Sequence, residues 1–333
     1  MTSGARGGPA GLVDVDGRTL KLSNLDKVLY PEVGFTKGQV IDYYTRIAPV
    51  LLPHLGDRPL TLKRYPNGVD AAYFYEKQCP SHRPPWVETA PVWSGHNERT
   101  IDFCLVNNRP TLVWVANLAS LELHTALHRA PVESGGDGDP AASGGRVRST
   151  GCPPPKAQPD SVVFDLDPGE GAGPPECAQV ALWLREALDQ LKLVSVVKTS
   201  GSKGLQLYVP LNTPVTYDDT KSFSLALAQV MERAHPKAVV SNMAKELRRS
   251  KVLIDWSQND EHKTTVSVYS LRARPLPSVS APLHWGEVEA IDAGSDVTLP
   301  IDAGTALERV AGDGDLFAPL LGLEQRLPSF ATS

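Results

Sequence analysis

The second half of the chain alternates strand-like and helix-like segments, and this pattern restricts the fold more than any other feature of the sequence. The predicted strands cover residues 161–167, 193–200, 205–211 and 251–257, and the predicted helices cover 176–191 and 220–235. The first of these helices places Val180, Leu184 and Leu188 at helical spacing, so that one face is apolar. Such an alternation indicates an α/β (α+β) fold in which helices pack on a mixed sheet.

The first half contains fewer regular signals. Thr36 is a suitable N-cap for a helix in which Val40, Tyr44, Ile47 and Leu51 share one face. Strands are predicted at 60–65 and 99–106, with the turn of a hairpin at 95–98. The segment 111–128 is apolar nearly all round and predicts a single buried helix.

Composition divides the chain into three parts. Residues 1–20 are expected to be disordered, 21–285 form the main domain, and 286–333 form an irregular acidic tail. Within the main domain, residues 133–155 are rich in Gly, Ser and Pro and predict a loop between two lobes. A last strand-like piece lies at 264–275.

The sequence carries no signal for export or for a membrane. No apolar run reaches the roughly 20 residues of a membrane span, and the first residues do not resemble a signal peptide, so we expect a cytoplasmic protein. The four cysteines are scattered without a CxxC pair, which predicts neither disulfides nor a zinc ribbon. Cys79 and His82 have CxxH spacing, but one such pair is only half a zinc site.

Charge is distributed unevenly. The net charge is −5, but residues from Gly286 onward carry nine acidic and two basic side chains, which leaves +2 for the rest. Basic clusters occur at Lys63–Arg64 and at 245–251, where they favour phosphate locally or simply form a solvated face. Composition alone favours the second interpretation.

Two aspartates stand on the strand VVFDLDP. Side chains alternate along a strand, so Asp165 and Asp167 leave the same face. Two carboxylates this close repel each other unless cations lie between them, and Mg²⁺ or Mn²⁺ is the usual solution. Asp255, on a later apolar strand, completes a set suited to two-metal phosphoryl transfer. The alternative is that both acids of the first strand cap the following helix.

The segment VVKTSGSKGLQLYVPL contains a second candidate site. Its Ser-Gly-Ser-Lys-Gly turn offers backbone N–H groups, hydroxyls and the Lys203 ammonium to an anion. A Walker A loop requires a helix after its lysine, whereas a strand pattern follows here. The alternative is a glycine-rich hairpin turn without a ligand.

Eight strings in the same order make the sequence similar to the archaeo-eukaryotic primase superfamily, and within it to the polymerase domain of bacterial DNA ligase D and its stand-alone relatives of the Prim-PolC type. These strings are LDKVLYP with TKGQVIDYY, RPLTLKRYPNGV, PPWV, LASLELH, VVFDLDPG, KTSGSKGL, VLIDWSQN and YSLRARPLPSVSAPL. The resemblance extends from about Leu22 to Trp285. The resemblance implies a two-lobed fold with a largely antiparallel central sheet. It also implies template-directed addition of nucleotides, with a preference for NTPs, to primer ends at short gaps or breaks bearing a 5′-phosphate.

The resemblance also implies roles for individual residues. Asp165, Asp167 and Asp255 would hold two Mn²⁺ or Mg²⁺ ions, and Asp255 would help to activate the primer 3′-hydroxyl. The implied nucleotide-binding residues are Lys63, His124, Ser200, Lys203, Gln206, Arg248, Gln258 and Arg272. The implied DNA-binding residues are Lys27 and Lys37 for the 5′-phosphate, with Arg64, Phe74 and Tyr75, of which the two aromatic residues would stack on the template. Alternatively, that aromatic pair is a hydrophobic plug between strands.

The family pattern has a histidine that touches the triphosphate where this chain has Gln206. Glutamine can donate a hydrogen bond but cannot become cationic, so we expect a weaker phosphate contact that depends less on pH. The implied partners are gapped or broken DNA, NTPs or dNTPs, a separate DNA ligase and Ku, and we expect a monomer. No ligase or phosphoesterase motif is present among the 333 residues.

Two other functions remain open from the sequence. FDLDPG resembles the nucleophile motif of haloacid dehalogenase-type phosphohydrolases, and GDGD at 312–315 resembles their late acidic pair. In that class, however, the motif stands near the start of the chain. The other alternative is a module that binds DNA ends or gaps without turnover.

Overall fold

The computed structural model describes residues 11–94, 98–130, 157–295, 297 and 299–328. The helices are α1 (Lys37–Leu55), α2 (Arg109–Asn117), α3 (Pro174–Gln190), α4 (Tyr217–Ala234), α5 (Trp285–Asp292), α6 (Ala303–Asp313) and α7 (Pro319–Gly322). The strands are β1 (Gly11–Val15), β2 (Arg18–Leu22), β3 (Val28–Tyr30), β4 (Phe35–Thr36), β5 (Leu60–Arg64), β6 (Phe74–Glu76), β7 (Thr89–Ser94), β8 (Arg99–Cys104), β9 (Ser120–Thr125), β10 (Ser161–Pro168), β11 (Val196–Thr199), β12 (Leu205–Pro210), β13 (Val239–Val240), β14 (Val252–Asp255), β15 (Thr265–Val266) and β16 (Pro282–Leu283). None of the helices in these ranges has the length and apolar content of a membrane span.

Sheet A is built from the second half of the chain. Its strand order is β13-β14-β10-β12-β11-β16, and only the β13–β14 pair is parallel. The apolar stripe of α3, which includes Val180, Leu184 and Leu188, is fully buried, and α3 and α4 both pack against β10. The prediction of helices on a mixed, largely antiparallel sheet is confirmed.

Sheet B is built mainly from the first half. Its order is β15-β9-β5-β8-β7, and β6 pairs with β5 outside this path. The predicted helix behind Thr36 is confirmed as α1, because the Thr36 side chain accepts a hydrogen bond from the Gln39 backbone in a capping box. Strand β15 joins sheet B from the second half of the chain, so the two sheets share one hydrophobic core.

The prediction of a single helix over 111–128 was wrong. Helix α2 ends at Asn117, Ala119 takes a left-handed φ of 60°, and the chain continues as β9. Strand β9 lies inside sheet B between β5 and β15, and nearly all of its side chains are buried. A strand buried on both faces lacks alternation and therefore resembles a buried helix in sequence.

The acidic tail was predicted to be irregular, and this was also wrong, because α5, α6 and α7 lie within or at the start of it. Its acidic residues do not all face solvent. Asp315 accepts hydrogen bonds from His54 Nε2 at 2.9 Å and from the Tyr269 hydroxyl at 2.8 Å. These two bonds fix the tail to α1 and to the core.

The N-terminal segment and the cysteines differ from their predicted states. Strands β1 and β2 form a hairpin at 11–22, within or next to the segment predicted to be disordered. Cys79 and Cys104 form a disulfide, so the prediction of no disulfides was wrong, and Cys79 is not a zinc ligand. The predicted loop at 133–155 and most of the predicted turn at 95–98 lie outside the described residues.

The buried side chain of Asn259 extends the pairing of β10 beyond the end of β14. It accepts from Val163 N at 2.9 Å and donates to Val163 O at 2.7 Å. Ladder pairing with β14 begins only at Asp165, so an amide side chain takes the place of a strand. These two hydrogen bonds hold β10 in the position from which Asp165 and Asp167 project.

We expect Asn259→Ala to lower the free energy of unfolding by about 2 to 6 kcal/mol. Two buried backbone groups of Val163 lose their partners, at about 1 to 3 kcal/mol each. Chemical denaturation measures this difference. The exposed Gln190 gives a control, because Gln190→Ala should change stability by about 0.5 kcal/mol or less. Equal losses of unfolding free energy in both variants would show that the hydrogen bonds between Asn259 and Val163 do not stabilise the fold.

Candidate active site

A row of four polar side chains crosses sheet A. In the ladder, Asp255 of β14 lies opposite Asp165 of β10, Asp165 lies opposite Gln206 of β12, and Gln206 lies opposite Lys198 of β11. Residues directly opposite in antiparallel strands project from the same face. Asp167 leaves this face two residues further along β10. The predicted convergence of the three aspartates on one face is therefore present.

The charges of these carboxylates oppose one another. Burial raises the pKa of Asp165 to about 7, and the neighbouring Asp167 carboxylate adds to the rise. Burial also raises the pKa of Asp167, with a further contribution from Asp255, while Arg248 and Arg272 act in the opposite direction. Each acid thus feels the others, which is the condition under which cations bind between them.

Asp255 is engaged by neighbours in its own chain segment. Its Oδ1 accepts from Ser257 N at 2.9 Å and Ser257 Oγ at 2.6 Å, and its Oδ2 accepts from Gln258 Nε2 at 2.9 Å. In the described part of the chain, no group of three or more His, Cys, Asp or Glu side chains is arranged so that it could hold a metal ion. The donor set fits a hard divalent cation in its chemistry, since all three groups are carboxylates. A metal would have to share or displace the hydrogen bonds of Asp255.

The Ser-Gly-Ser-Lys-Gly turn connects β11 to β12, as predicted from the strand pattern. Ser200 holds it closed, because its N–H donates to Gly204 O at 2.9 Å and its Oγ accepts from Gly204 N at 3.2 Å. Gly204 lies directly against β10, where a Cβ would stand 2.1 Å from Leu166 O. Lys203 is exposed at the tip of the turn. The turn therefore presents a cation beside the strand that bears the aspartates.

Glu122 of β9 organises a second group of predicted residues. The carboxylate is buried and lies 3.3 Å from Lys63 Nζ, 2.9 Å from His124 Nε2 and 3.4 Å from Arg272 Nε. Although burial acts in the opposite direction, the hydrogen bond from His124 and the charge of Arg272 bring the pKa of Glu122 well below its usual value. The acid is therefore ionised and holds three basic groups in one cluster.

Arg272 connects this cluster to the turn of sheet A. Its Nη1 donates to Ser200 O at 2.5 Å, while its Nε lies beside Glu122 of sheet B. Arg248 approaches from the loop before β14 and donates through Nη2 to Met243 O at 2.5 Å. Gly169 allows that loop to approach, because a Cβ there would meet Arg248 O at 1.8 Å.

The predicted aromatic pair of β6 does not act as one surface. Tyr75 pairs with Lys63 in the ladder and Phe74 pairs with Arg64, so the two rings project from opposite faces. Tyr73 lies next to Tyr75, with 5.9 Å between ring centroids, and Lys63 Nζ stands 4.4 Å from the Tyr73 ring. On the other face, Arg64 stands over the Phe74 ring at 5.1 Å. The partner of Tyr75 is thus Tyr73, and Phe74 is grouped with Arg64.

Lys27 and Lys37 are neighbours in space. Lys37 N donates to Lys27 O at 2.8 Å, Lys27 Nζ donates to Asn67 at 2.9 Å, and the largely buried Lys37 Nζ donates to Ser23 O at 2.7 Å. Burial lowers the pKa of Lys37 to about 8, and the charges of Lys27 and Arg64 contribute to this change. Lys27 and Lys37 thus lie within electrostatic reach of each other and of Arg64, which is itself paired with Glu76 at 2.9 Å.

Sequence reasoning missed two residues of this site. Glu122 stood in the quoted string LASLELH and Lys198 in KTSGSKGL, but neither was assigned a role. Both are buried charges. Their burial depends on strand pairing between distant segments, so spacing within one segment carried no signal for it.

Carboxylates on adjacent strands, beside a turn that presents Lys203 and linked through Arg272 to a cluster of basic side chains, are the arrangement expected of the nucleotidyl-transfer class. Residues 36–317 match the family model described as "LigD, primase-polymerase domain", and the chain belongs to this family. The resemblance drawn from the sequence is thereby confirmed. Membership in this family excludes the interpretation as a haloacid dehalogenase-type phosphohydrolase.

Curated relatives and a solved structure agree with this assignment. The chain is 41% identical over 301 residues to the multifunctional non-homologous end joining protein LigD of Mycolicibacterium smegmatis, covering 90% of this chain and 36% of that protein. It is 30% identical over 272 residues to the bifunctional LigD of Bacillus subtilis, covering 81% of this chain and 40% of that protein. The chain thus spans roughly 36–40% of the length of these relatives. The polymerase domain of Mycobacterium tuberculosis ligase D, solved in complex with DNA, matches with a TM-score of 0.79 at 38% identity over 92% of this chain and 99% of that one.

We expect Asp165→Asn to stabilise the metal-free protein at alkaline pH. The pKa of Asp165 is raised in the folded state, so ionisation costs folding free energy that grows as pH rises from the unfolded value towards about 7. Asparagine removes this cost. Urea denaturation in EDTA should show a gain on the order of 2 kcal/mol at pH 8 and a smaller gain at pH 5.

The exposed Asp70 provides the control for this experiment. Asp70→Asn should leave the unfolding free energy unchanged at both pH values. A gain for Asp165→Asn that does not depend on pH would contradict the electrostatic explanation.

Proposed function

We propose that this domain is a metal-dependent, template-directed polymerase that adds nucleotides, preferably NTPs, to primer ends at short DNA gaps or breaks with a 5′-phosphate. The observation that carries the proposal is that Arg272, a member of the basic cluster around Glu122, also bonds the Ser200 turn of sheet A and acts electrostatically on the Asp167 carboxylate. An incoming triphosphate needs both groups at once. The relatives are named as end joining proteins, and the solved neighbour is a polymerase domain bound to DNA, which supports the same function here.

Asp165, Asp167 and Asp255 would hold two Mn²⁺ or Mg²⁺ ions. Such ions neutralise charge on the attacking and leaving oxygens of an in-line displacement. The raised pKa values of Asp165 and Asp167 support this role, because two crowded carboxylates ionise fully only beside added positive charge. Asp255, at the end of β14, would lie nearest the primer 3′-hydroxyl.

The nucleotide would lie between the two sheets. Lys203 and the Ser200 turn would bind its phosphates from sheet A, while Lys63 and His124 would contact it from sheet B. Arg272 touches both sides and would order the turn and the cluster together. Arg248 would bind phosphate near Asp167, whose pKa its charge lowers. Gln258 donates to Asp255 and would act beside that carboxylate.

The DNA would approach along β6 and the start of α1. Lys27 and Lys37 would bind the 5′-phosphate of the downstream strand, and Arg64 would support them. Phe74 lies on the Arg64 side and Tyr75 on the Lys63 side, so the two rings would contact different parts of the substrate. Stacking on exposed rings does not depend on base identity, which suits a repair polymerase. In this proposal the domain works as a monomer in end joining, with a DNA ligase and Ku.

One observation favours a second candidate, a gap-binding module without turnover. Both carboxylate oxygens of Asp255 already accept hydrogen bonds from Ser257 and Gln258. If these bonds persist when substrate is present, Asp255 has few lone pairs left for a metal and is a weak third ligand. Incubation of the chain with labelled primer on a 5′-phosphorylated gap, Mn²⁺ and each NTP or dNTP separates the two functions, because only the polymerase extends the primer.

Replacing Asp165 and Asp167 together by alanine should abolish nucleotide addition. Both variant positions lie at the end of β10 and are partly or fully exposed, so the fold should survive. Primer extension measures the loss, and fluorescence anisotropy with gapped DNA should show binding within about threefold of wild type. Asp70→Ala, at an exposed position, serves as the matched control. Extension that persists in the double variant would overturn the polymerase assignment.

Replacing Lys27 and Lys37 by alanine should remove the preference for a 5′-phosphorylated gap. The measurement compares affinities for gaps with a 5′-phosphate and with a 5′-hydroxyl, in wild type and in the variant. We expect the ratio to fall by about tenfold, to near unity, since charge-assisted phosphate contacts contribute about 1.5 to 3 kcal/mol. Lys21→Ala, which removes an exposed lysine elsewhere, is the control. An unchanged ratio would show that these residues do not bind the 5′-phosphate.

A further inference from the structure

The row of polar side chains across sheet A ends in a cation that has no place in the proposed binding of nucleotide or DNA. Lys198 is fully buried, with 0% of its surface exposed. Burial lowers its pKa to about 7, although the charge of Asp165 opposes this change. A buried lysine is costly unless its donors are satisfied, so its position in the row requires a physical explanation.

Three acceptors satisfy the Lys198 ammonium. Its Nζ donates to Gln206 Oε1, to Ser280 Oγ at 2.6 Å and to Val266 O at 3.2 Å. The Ser280 hydroxyl in turn donates to Thr199 O at 3.0 Å, so its remaining lone pairs face the lysine. The ammonium is therefore fixed from three sides.

This arrangement sets the orientation of the Gln206 amide. The amide oxygen accepts from Lys198 Nζ, so the oxygen is the side of the amide that faces the lysine. The NH₂ group is then the side that remains for Asp165, directly opposite in the ladder. A hydrogen bond from the Gln206 side chain to Asp165 accordingly lowers the pKa of that carboxyl, against the effect of burial.

The position of Gln206 also argues against a contact with nucleotide. Only 3% of its surface is exposed, and both ends of its amide are engaged. Ser200 and Lys203, which would bind phosphate, lie in the turn before β12 rather than within the strand. The glutamine thus lies beside Asp165 in the sheet and is buried, whereas Lys203 at the tip of the turn is exposed.

We propose that Lys198 and Gln206 are positioning residues that hold the Asp165 carboxylate in place for a divalent cation, and that Gln206 does not contact the triphosphate. The inference rests on the proposed function in so far as Asp165 is a metal ligand. In the family, the histidine at this position touches the triphosphate, whereas in this chain Gln206 would position a metal ligand. Removal of a residue that hydrogen-bonds to a metal ligand typically lowers metal affinity by about 10- to 100-fold.

The test measures Mn²⁺ binding to the full chain without nucleotide, by electron paramagnetic resonance of the free ion. Gln206→Leu keeps the bulk of the side chain but loses both hydrogen bonds, and it should raise the Kd for Mn²⁺ by about tenfold or more. Gln206→Glu keeps an acceptor for Lys198 but cannot donate to Asp165 when ionised, and it should also weaken binding. Lys198→Met removes the donor that orients the amide and should have an effect in the same direction.

Tyr208→Phe is the matched control for a buried substitution in the same strand. Tyr208 donates to Thr265 Oγ1 at 2.9 Å, so the variant loses a buried hydrogen bond outside the row. Its Mn²⁺ affinity should equal that of wild type. Circular dichroism and gapped-DNA binding report whether each variant folds. If Lys198→Met fails to fold, the two Gln206 variants decide the question.

The possible failures are distinguishable. The proposed metal site itself is wrong if wild type does not bind Mn²⁺, or if Asp165→Asn binds Mn²⁺ as tightly as wild type does. If Asp165→Asn removes binding but Gln206→Leu binds Mn²⁺ as wild type does, the positioning role is overturned while the proposed function stands. An unchanged Mn²⁺ Kd together with a raised KM for nucleotide in Gln206→Leu would assign Gln206 to the triphosphate instead.

Discussion

The antiparallel pairing of β10 with both of its neighbours is the constraint on which the site depends. Because β14 and β12 flank this strand in fixed register, Asp255 and Gln206 are brought to opposite sides of Asp165. A slip of one residue in either pairing would turn the partner's side chain to the other face of the sheet. Residues outside the row maintain that register: Asn259 bonds both backbone groups of Val163, and Gly204 lets the turn lie against Leu166.

Two charged clusters of opposite character lie on the two sides of Arg272. On sheet A, carboxylates crowd together and the pKa values of Asp165 and Asp167 rise. On sheet B, a single ionised Glu122 gathers three basic groups and its pKa falls. One arrangement lacks positive charge and the other has an excess of it, and Arg272 lies between them. A metal-bound triphosphate has the charge distribution that would relieve both.

Much of this site could be predicted from the sequence, because its central feature is local. Asp165 and Asp167 share a face through the two-residue period of a strand, and the strand after Lys203 distinguished the turn from a Walker A loop. Other features depend on pairing between distant segments. Strand β9 is buried on both faces, so it was mistaken for the end of a helix, and Cys79 meets Cys104 only because the chain beside β8 folds back on that strand. Phe74 and Tyr75 are adjacent in sequence, but strand geometry separates them.

The charged residues that were overlooked differ from those that were predicted in one physical respect. Asp165, Asp167 and Lys203 are partly or fully exposed at the site, where a ligand would compensate them. Glu122 and Lys198 are buried, and other protein groups compensate them: three basic side chains surround the first, and three oxygen acceptors surround the second. A buried charge that is fully satisfied by its own chain is free to orient its neighbours without exchanging partners when substrate arrives. Because such residues need not touch the substrate, the chemistry of the reaction does not reveal them, and only the three-dimensional arrangement does.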